Sequence, residues 1–492
     1  MAKKFTAQDS ISQLKLDISI QHRSVKKLDP EAKGRELTLF RSQLSAQLVL
    51  LPPDLKSLLP SGHLVFFLIN TINELDLSGI LLKYKNKGGF GRPAYAPAML
   101  LTLVIYCYSE GITSTRAIER MCHESVPCRI LTGNQTPDHD TIANFLKMHR
   151  EQFDDIFQQV LVLADQAGLV KLDHVAVDGS KIHASASKHK AMSYERMCQK
   201  LETLPQKIEK ANEEIAELDM ANNPKAASDA KELKQDIKFW RKRLAKIKKS
   251  KKALERRAKH RAKVEAKTKI RKGCKIQKNS NPKNLLPKPK EQINFTDPDS
   301  RIMGHTGGEF EQCFNVQIAV DSQHQIIVAH DVVQHGNDKR SLEPMFLQVH
   351  QRLDRYPNAG SADAGYFTEE MINSESLSNI ELFVPPDRET HPRSSLPGVG
   401  RIPNNISTAN RMRRKLSTKR GKDLYAQRKC IVEPVFGQVK ESVLGFDQFS
   451  WRGLRNVQNQ WALVCASHNL LKIYRATSRL NDLSQVQQEI AA

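Results

Sequence analysis

The sequence has no Cys-x-x-Cys pair, although it holds eight cysteines in 492 residues. Closely paired cysteines are the usual mark of a zinc ribbon, and disulfide-stapled domains concentrate many cysteines in a short chain. The spacing fits neither class. We expect the cysteines to stay reduced in the cytosol.

Long apolar runs are also missing. The longest apolar stretch, Met99 to Tyr106, is far shorter than the ~20 residues that a membrane-spanning helix needs. The first residues, Met-Ala-Lys-Lys-Phe-Thr, lack the apolar segment of a signal peptide. We expect a soluble, cytoplasmic protein with no membrane contact.

Acidic residues are few relative to basic ones. The chain has 54 Asp and Glu against 76 Lys and Arg, which gives a net charge of +22. So large an excess attracts polyanions, and nucleic acid is the first candidate. A merely basic soluble protein and a protein that touches acidic membranes are the alternatives.

The composition divides the chain into five segments, and its length predicts two or three folded units. The segments are a polar N-terminal segment (1–45), a helical region (46–168), a strand-rich region in two parts (169–195 and 291–475), a basic helical insertion with its linker (196–290) and a polar tail (476–492).

Short apolar helices separated by glycines fill the helical region. Pro97 opens an apolar helix that runs to about Glu110, and Gly111 and Gly133 separate it from two further helices. This pattern predicts an all-α N-terminal domain. We expect it to contact DNA in the manner of a helix-turn-helix protein, with an ordinary helical bundle as the alternative.

The insertion carries a heptad pattern of apolar residues. The pattern runs from Leu201 to Leu218, breaks at Asn222-Asn223-Pro224, and resumes from Ala230 to Ile247. Two such arms predict an antiparallel helical hairpin within the chain, and a dimerising coiled coil is the alternative. Residues 241–272 are dense in Lys and Arg, which indicates a contact with a phosphate backbone or, alternatively, a disordered basic linker.

A short β-branched run, Val175 to Val177, predicts a buried strand that leads directly into Asp178. One interpretation makes Asp178-Gly179 a turn between two strands. The other makes Asp178 a functional carboxylate, because a carboxylate at the end of a buried strand is costly unless a cation or hydrogen bonds hold it.

The order of elements discriminates between the two. With the insertion removed, the strand of Asp178 is followed by a hairpin, a helix, a strand ending at Asp363, a helix, a strand and a helix with Glu433. This is the element order of a ribonuclease H-like α/β fold, a mixed sheet with helices on both faces. The three carboxylates would then converge, and Mg²⁺ would compensate their charge. Asp338 is the strongest rival carboxylate.

These residues resemble the motifs of bacterial insertion-sequence transposases of the DDE type. Asp178-Gly179-Ser180 resembles the first motif and Ala362 to Tyr366 the second. The third is a Tyr-Arg-Glu-Lys signature, which is matched by Tyr425, Arg428, Glu433 and Lys440.

Two further observations qualify this resemblance. Four residues rather than the usual three separate Arg428 from Glu433, so Lys429 occupies the expected position. The N-terminal region from Leu48 to Arg150 resembles the N-terminal domain of InsH-type transposases.

The resemblance implies an enzyme that cleaves transposon ends to a 3′-OH and joins them to target DNA by two-metal phosphoryl transfer. Asp178, Asp363 and Glu433 would be the catalytic residues and the ligands of Mg²⁺, or of Mn²⁺. The residues expected to contact DNA are Lys440, Arg428 or Lys429, Tyr425 and Lys181.

The partners implied are the terminal inverted repeats and target DNA, bound by a homodimer at the bacterial nucleoid. Two alternatives stay open. One is a ribonuclease H-like, structure-specific nuclease that cuts without joining. The other is a catalytically inactive DNA-binding protein derived from a transposase.

Overall fold

The structure is a computed structural model. It describes residues 54–84, 93–220, 224–271, 286–304, 308–387, 400 and 405–491. The polar segment 1–45, the break at Asn222-Asn223 and the linker residues 272–285 lie outside these ranges. No helix in the described ranges is both long and apolar enough to cross a membrane.

In the described part of the N-terminal region the structure has seven α-helices, which confirms the all-α prediction. They are α1 (Leu64–Glu74), α2 (Ser78–Leu81), α3 (Pro97–Ser109), α4 (Thr115–Glu124), α5 (Val126–Leu131), α6 (His139–His149) and α7 (Phe153–Gln166). Local sequence sets their starts. Pro97 occupies the first turn of α3, and Asp138 caps α6 by accepting a hydrogen bond from the Thr141 amide.

A basic hairpin follows the first strand of the sheet. Strand β1 (His174–His183) leads through the short β2 (Ala191–Ser193) into α8 (Tyr194–Met220) and α9 (Pro224–Arg271). Leu204 of α8 lies in one apolar cluster with Ile247 and Leu254, and Ile215 lies in a second cluster with Ile237. The two helices are therefore antiparallel, and the predicted seam is confirmed as a hairpin within the chain.

The remaining elements complete the main sheet and its covering helices, apart from β3 (Gln292–Asn294), which pairs with β2 in a separate two-stranded sheet. The others are β4 (Arg301–Gly304), β5 (Phe310–Asp321), β6 (Ile327–Val333), α10 (Leu342–Leu353), β7 (Ala359–Ser361), α11 (Glu369–Ile372), β8 (Glu381–Phe383), α12 (Thr408–Ser417), α13 (Lys419–Gly437) and α14 (Leu454–Ala491).

The main sheet joins six of the described strands with β1 near its centre. β1 pairs antiparallel with β5 on one side and parallel with β7 on the other, and β7 pairs parallel with β8. Both β4 and β6 pair antiparallel with β5. Helix α10 packs on β5 and β6, while α13 crosses β1, β7 and β8. This is the mixed sheet of a ribonuclease H-like fold, as the element order predicts.

Helix α14 links the N-terminal helices to the sheet. Its residues from Trp461 to Leu471 are buried all round, and it packs against α3, α7 and β6. Asn469 fixes it to the sheet, because its side chain accepts a hydrogen bond from the Ile327 amide and donates one to the Ile327 carbonyl. One continuous apolar core therefore runs from α1 to the sheet.

The interpretation of Asp178-Gly179 as a turn is wrong. Strand β1 continues through both residues to His183, with Asp178 opposite Ile318 and Gly179 opposite Gln317. The twelve-residue β5 is long enough to pair with the whole stretch. Gly179 serves another purpose there: a Cβ at this position would lie 2.2 Å from Gln317 Nε2.

Candidate active site

Two neighbouring parallel strands bring Asp178 and Asp363 together. Ala176 of β1 pairs with Ser361, the last residue of β7, and each aspartate follows its paired residue by two positions, so that Asp178 lies within β1 and Asp363 just beyond β7. Because side chains alternate along a strand, both carboxylates face the same side of the sheet. The Asp363 carboxylate also accepts a hydrogen bond from the Gly365 amide at 2.9 Å, which holds it at the end of β7.

Helix α13 places Arg428 against Asp178. Arg428 Nη1 lies 3.3 Å from Asp178 Oδ2, and the Gly179 amide donates a hydrogen bond to Asp178 Oδ1 at 2.8 Å. The Arg428 side chain is only 8% exposed and that of Asp178 22% exposed. Arg428 Nε is buried and has no hydrogen-bond partner among the described residues.

The electrostatic balance at Asp178 leaves its negative charge under-compensated. The pKa of Asp178 is raised to about 6: burial is the largest cause and the carboxylates of Asp363 and Asp338 add to it, although the Gly179 hydrogen bond and the Arg428 charge act in the opposite direction. A carboxylate in this state favours a cation, because a cation offsets both the desolvation and the repulsion.

Two more side chains of the Tyr-Arg-Glu-Lys signature lie beside this pair. Lys440 Nζ lies 3.3 Å from Ser180 Oγ, on the same face of β1 as Asp178. The half-buried ring of Tyr425 lies 5.8 Å from the Arg428 guanidinium. Burial raises the pKa of Tyr425 and the Asp363 charge adds to this, while Arg428 lowers it, so the Tyr425 hydroxyl stays protonated at neutral pH.

Glu433 and Lys429 point elsewhere. Both side chains are exposed, and among the described residues Glu433 forms no hydrogen bond or ion pair. Glu433 follows Arg428 by five residues, which turns it about 140° away around the helix. Consistent with this, no group of three or more His, Cys, Asp or Glu side chains able to hold a metal ion occurs in the described part of the chain.

The helix is anchored next to Glu433. Pro434 has no N–H, so the Cys430 carbonyl four residues earlier has no partner within α13. Gln325, in the turn between β5 and β6, donates its side-chain amide to this carbonyl at 3.0 Å. The proline in the helix thus ties the Glu433 region of α13 to the sheet.

The opposite face of β1 carries a polar network around Asp338. Its carboxylate accepts hydrogen bonds from Asn315 Nδ2 at 2.7 Å and from Gln317 Nε2 at 2.8 Å. Lys181 Nζ lies 4.0 Å away, and burial lowers the pKa of this lysine. Tyr366 donates its hydroxyl to Gln317 Oε1. Lys181 therefore faces Asp338, across the strand from Asp178.

Sequence reasoning identified Asp338 as a rival carboxylate but missed the two amides that hold it. Asn315 and Gln317 alternate with apolar residues along β5, a pattern typical of a strand with one solvated face. Both are in fact fully buried. The sequence signal for this network is a pair of polar residues at alternate positions of β5, a strand in the interior of the sheet.

A ribonuclease H-like sheet with paired aspartates at its central strands defines a class of enzymes that cut or transfer nucleic-acid strands. Comparison with known families assigns the chain within that class. Residues 53–148 match the family described as Transposase domain (DUF772), and residues 285–470 match the family described as Transposase DDE domain. The chain belongs to the DDE transposases of insertion sequences. Comparison with curated proteins and with solved structures gave no match.

Proposed function

We propose that this transposase cleaves the ends of its insertion sequence to free a 3′-OH and then joins that 3′-OH to target DNA. The proposal rests most directly on the neighbouring placement of Asp178 on β1 and Asp363 just beyond the end of β7. The two family matches support it, because together they cover the N-terminal helices and most of the catalytic sheet.

The carboxylate pair fits a divalent cation with a preference for oxygen ligands. Asp178 and Asp363 would hold Mg²⁺, or Mn²⁺ in its place, and we propose Glu433 from α13 as the third ligand, which requires its exposed side chain to turn toward the pair. The raised pKa of Asp178 supports this choice, since its charge is not fully compensated by the protein. When bound, such ions stabilise charge on the attacking and leaving oxygens in phosphoryl transfer.

The signature residues within and just after α13, together with Lys181, would take different roles. Lys440, which reaches Ser180 on the carboxylate face, is placed to contact a phosphate next to the scissile bond. Arg428 offsets part of the charge of Asp178, and Tyr425 lies against Arg428. Lys429 is exposed and free to reach a more distant phosphate, whereas the position of Lys181 beside Asp338 favours a structural role over the expected DNA contact.

The DNA partners we propose are the terminal inverted repeats and a target duplex, bound by a homodimer because two ends must be held together. The net charge of +22 supports a polyanionic partner.

Cleavage of a plasmid tests the proposal. A supercoiled plasmid that carries the gene with its flanking DNA is incubated with the protein and Mg²⁺, and new 3′ ends are mapped. We expect ends at the two borders of the element with the wild-type protein and none with Asp363→Asn. Cuts scattered over the plasmid, or the same cuts with Asp363→Asn, would contradict the proposal.

A further inference from the structure

The part of helix α9 next to the sheet carries a continuous row of exposed basic side chains, here named the basic stripe. Its members are Lys242, Lys249, Lys252, Arg256, Lys259 and Lys263. They follow one another at intervals of seven, three, four, three and four residues, so they share one face of the helix. The buried residues Ile247, Leu254 and Ala258 lie on the opposite face.

The stripe is not neutralised by the protein. Among the described residues none of its six side chains forms an ion pair. The one acid between residues 241 and 263 is Glu255. Glu255 lies 3.9 Å from Lys251 and accepts a hydrogen bond from the Tyr194 hydroxyl at 3.0 Å. Neighbouring stripe residues therefore repel each other, which disfavours the helix unless an anion lies against it.

The outer half of the same helix is built differently. Between Pro224 and Phe239, four lysines are interspersed with the acids Asp229, Glu232 and Asp236. Mixed charges of this kind suffice to keep a helix soluble. Solubility therefore does not explain why positive charge is concentrated in the inner half of the helix, from Lys242 to Lys263.

The stripe is fixed relative to the catalytic sheet. Near it, Arg261 forms an ion pair with Glu291 at 3.2 Å, and Arg257 donates to the Pro298 carbonyl at 2.6 Å. The hairpin leaves the sheet after β1, which carries Asp178, and returns before β4 and β5. A ligand on the stripe would therefore be held in a constant relation to the catalytic strand.

We propose that the basic stripe binds the phosphate backbone of duplex DNA. The inference rests on the proposed function for the nature of the ligand, and it gives the helical insertion a role. From Lys242 to Lys263 the helix rises about 32 Å. This is close to the length of one turn of B-DNA, about 34–36 Å. The six side chains therefore extend over about the length of one turn of a duplex, which allows them to contact phosphates of a single DNA molecule.

Salt-dependent binding of a 40-base-pair duplex of arbitrary sequence tests the stripe. The test variant combines Lys249→Gln, Lys252→Gln and Lys259→Gln. The matched control combines Lys225→Gln, Lys231→Gln and Lys238→Gln, which removes the same charge from exposed positions of the outer half. Each lost phosphate contact reduces the slope of log affinity against log salt by about 0.9.

We expect the stripe variant to lose about 3 from the salt slope, and to bind at least tenfold more weakly at about 0.15 M salt, while the control keeps the wild-type slope. Equal slopes for wild type and stripe variant, or an equal loss in the control, would overturn the proposal. Circular dichroism must show an unchanged helix content. If sedimentation shows a change of oligomeric state with no change in DNA binding, the stripe is a protein interface and the proposal is wrong.

The test is independent of catalysis. A stripe variant that still cuts element borders at low salt, where binding is restored, supports the stripe and the proposed function together. If the wild-type protein binds the duplex through the stripe but cuts no DNA, the proposed function is wrong and the proposal for the stripe still holds.

Discussion

Arg428 Nη1 lies 3.3 Å from Asp178 Oδ2, so the helix of the Tyr-Arg-Glu-Lys signature touches the first aspartate through its arginine. Lys429, which occupies the expected position in the signature, is exposed. Because of the extra residue between them, Arg428 and Glu433 lie on different faces of the helix. Arg428 turns inward to the carboxylate, while Lys429 and Glu433 share an outer face.

Replacement of Arg428 should destabilise the fold, and replacement of Lys429 should not. Arg428→Met leaves the partly exposed Asp178 carboxylate without its neighbouring cation. Since breaking a fully buried pair costs about 3–5 kcal/mol, we expect a loss of up to about 3 kcal/mol. Lys429→Met changes an exposed side chain, so we expect a change within about 0.5 kcal/mol. Urea unfolding at pH 8 measures both free energies of unfolding.

The stability loss caused by Arg428→Met should depend on pH. Since the pKa of Asp178 is already raised to about 6, ionisation of Asp178 costs the folded state stability as the pH rises through that value. Arg428→Met removes a charge that lowers this pKa. Its loss of stability should therefore shrink below pH 6. An equal loss at pH 5 and pH 8 would show that packing, not charge, explains the effect.

Cation binding should depend on pH through Asp178. A proton and Mg²⁺ compete for the carboxylate, so the apparent affinity should fall about tenfold per pH unit below the pKa of about 6. The rise in melting temperature caused by Mg²⁺, recorded from pH 5 to pH 8, measures this affinity. A pH-independent rise would remove Asp178 from the ligand set, as would an unchanged rise in Asp178→Asn.

Asp338→Asn should act in the opposite sense to Arg428→Met on the pH profile. The Asp338 charge raises the pKa of Asp178, so its removal should move the midpoint of Mg²⁺ binding to lower pH. The amides of Asn315 and Gln317 both donate to Asp338 Oδ1, and the carbonyl oxygen of the new Asn side chain can accept both hydrogen bonds. Since these bonds change from charged to neutral, we expect a loss of about 1–2 kcal/mol of stability. A midpoint that moves to higher pH would contradict this account of the electrostatics.

Gly179→Ala tests how closely β5 approaches β1. The new methyl group would meet Gln317 Nε2 at 2.2 Å, and Gln317 is held by both Asp338 and Tyr366. We expect a loss of about 1–3 kcal/mol in the free energy of unfolding. Gly437→Ala is the control, because nothing lies within 4 Å of a Cβ at that helical position. Equal stability of the two variants would show that Gln317 yields without cost.

The placement of Asp178 beside Asp363 could be predicted because it follows from the order of elements. A β-branched run marks β1, and the parallel neighbour β7 ends beside the middle of β1, where Asp178 lies. The buried state of Asn315 and Gln317 could not be predicted. Alternation along a strand is the same whether water or a partner such as Asp338 satisfies the polar face.

The orientation of Glu433 depends on a detail that motif matching does not include. An arginine four positions before the glutamate, with three residues between them, would lie about 40° from it around the helix. Arg428 is five positions before Glu433, with four residues between them, and therefore lies about 140° from it. The sequence contains this spacing, but only the contact between Arg428 and Asp178 shows which residue of the signature faces the sheet.

The three acidic residues should be needed for cleavage and dispensable for DNA binding. We expect Asp178→Asn, Asp363→Asn and Glu433→Gln each to slow cleavage by more than about 100-fold, since even residues behind the ligands of a metal cost about 10–100-fold. Gel-shift titrations should show nearly unchanged affinity. Glu441→Gln, at another exposed acid after α13, is the control. If Glu433→Gln cuts as fast as this control, Glu433 is not a metal ligand.

Strand joining is the activity that distinguishes a transposase from a nuclease. A pre-cleaved duplex from one border of the element, ending in a 3′-OH, is mixed with the protein, Mg²⁺ and a target plasmid, and joined products are sequenced. The account predicts covalent junctions between the border 3′ end and target DNA with the wild-type protein, and none with Asp178→Asn or Asp363→Asn. Cleavage of DNA without any joined product, or junctions formed by either variant, would contradict it.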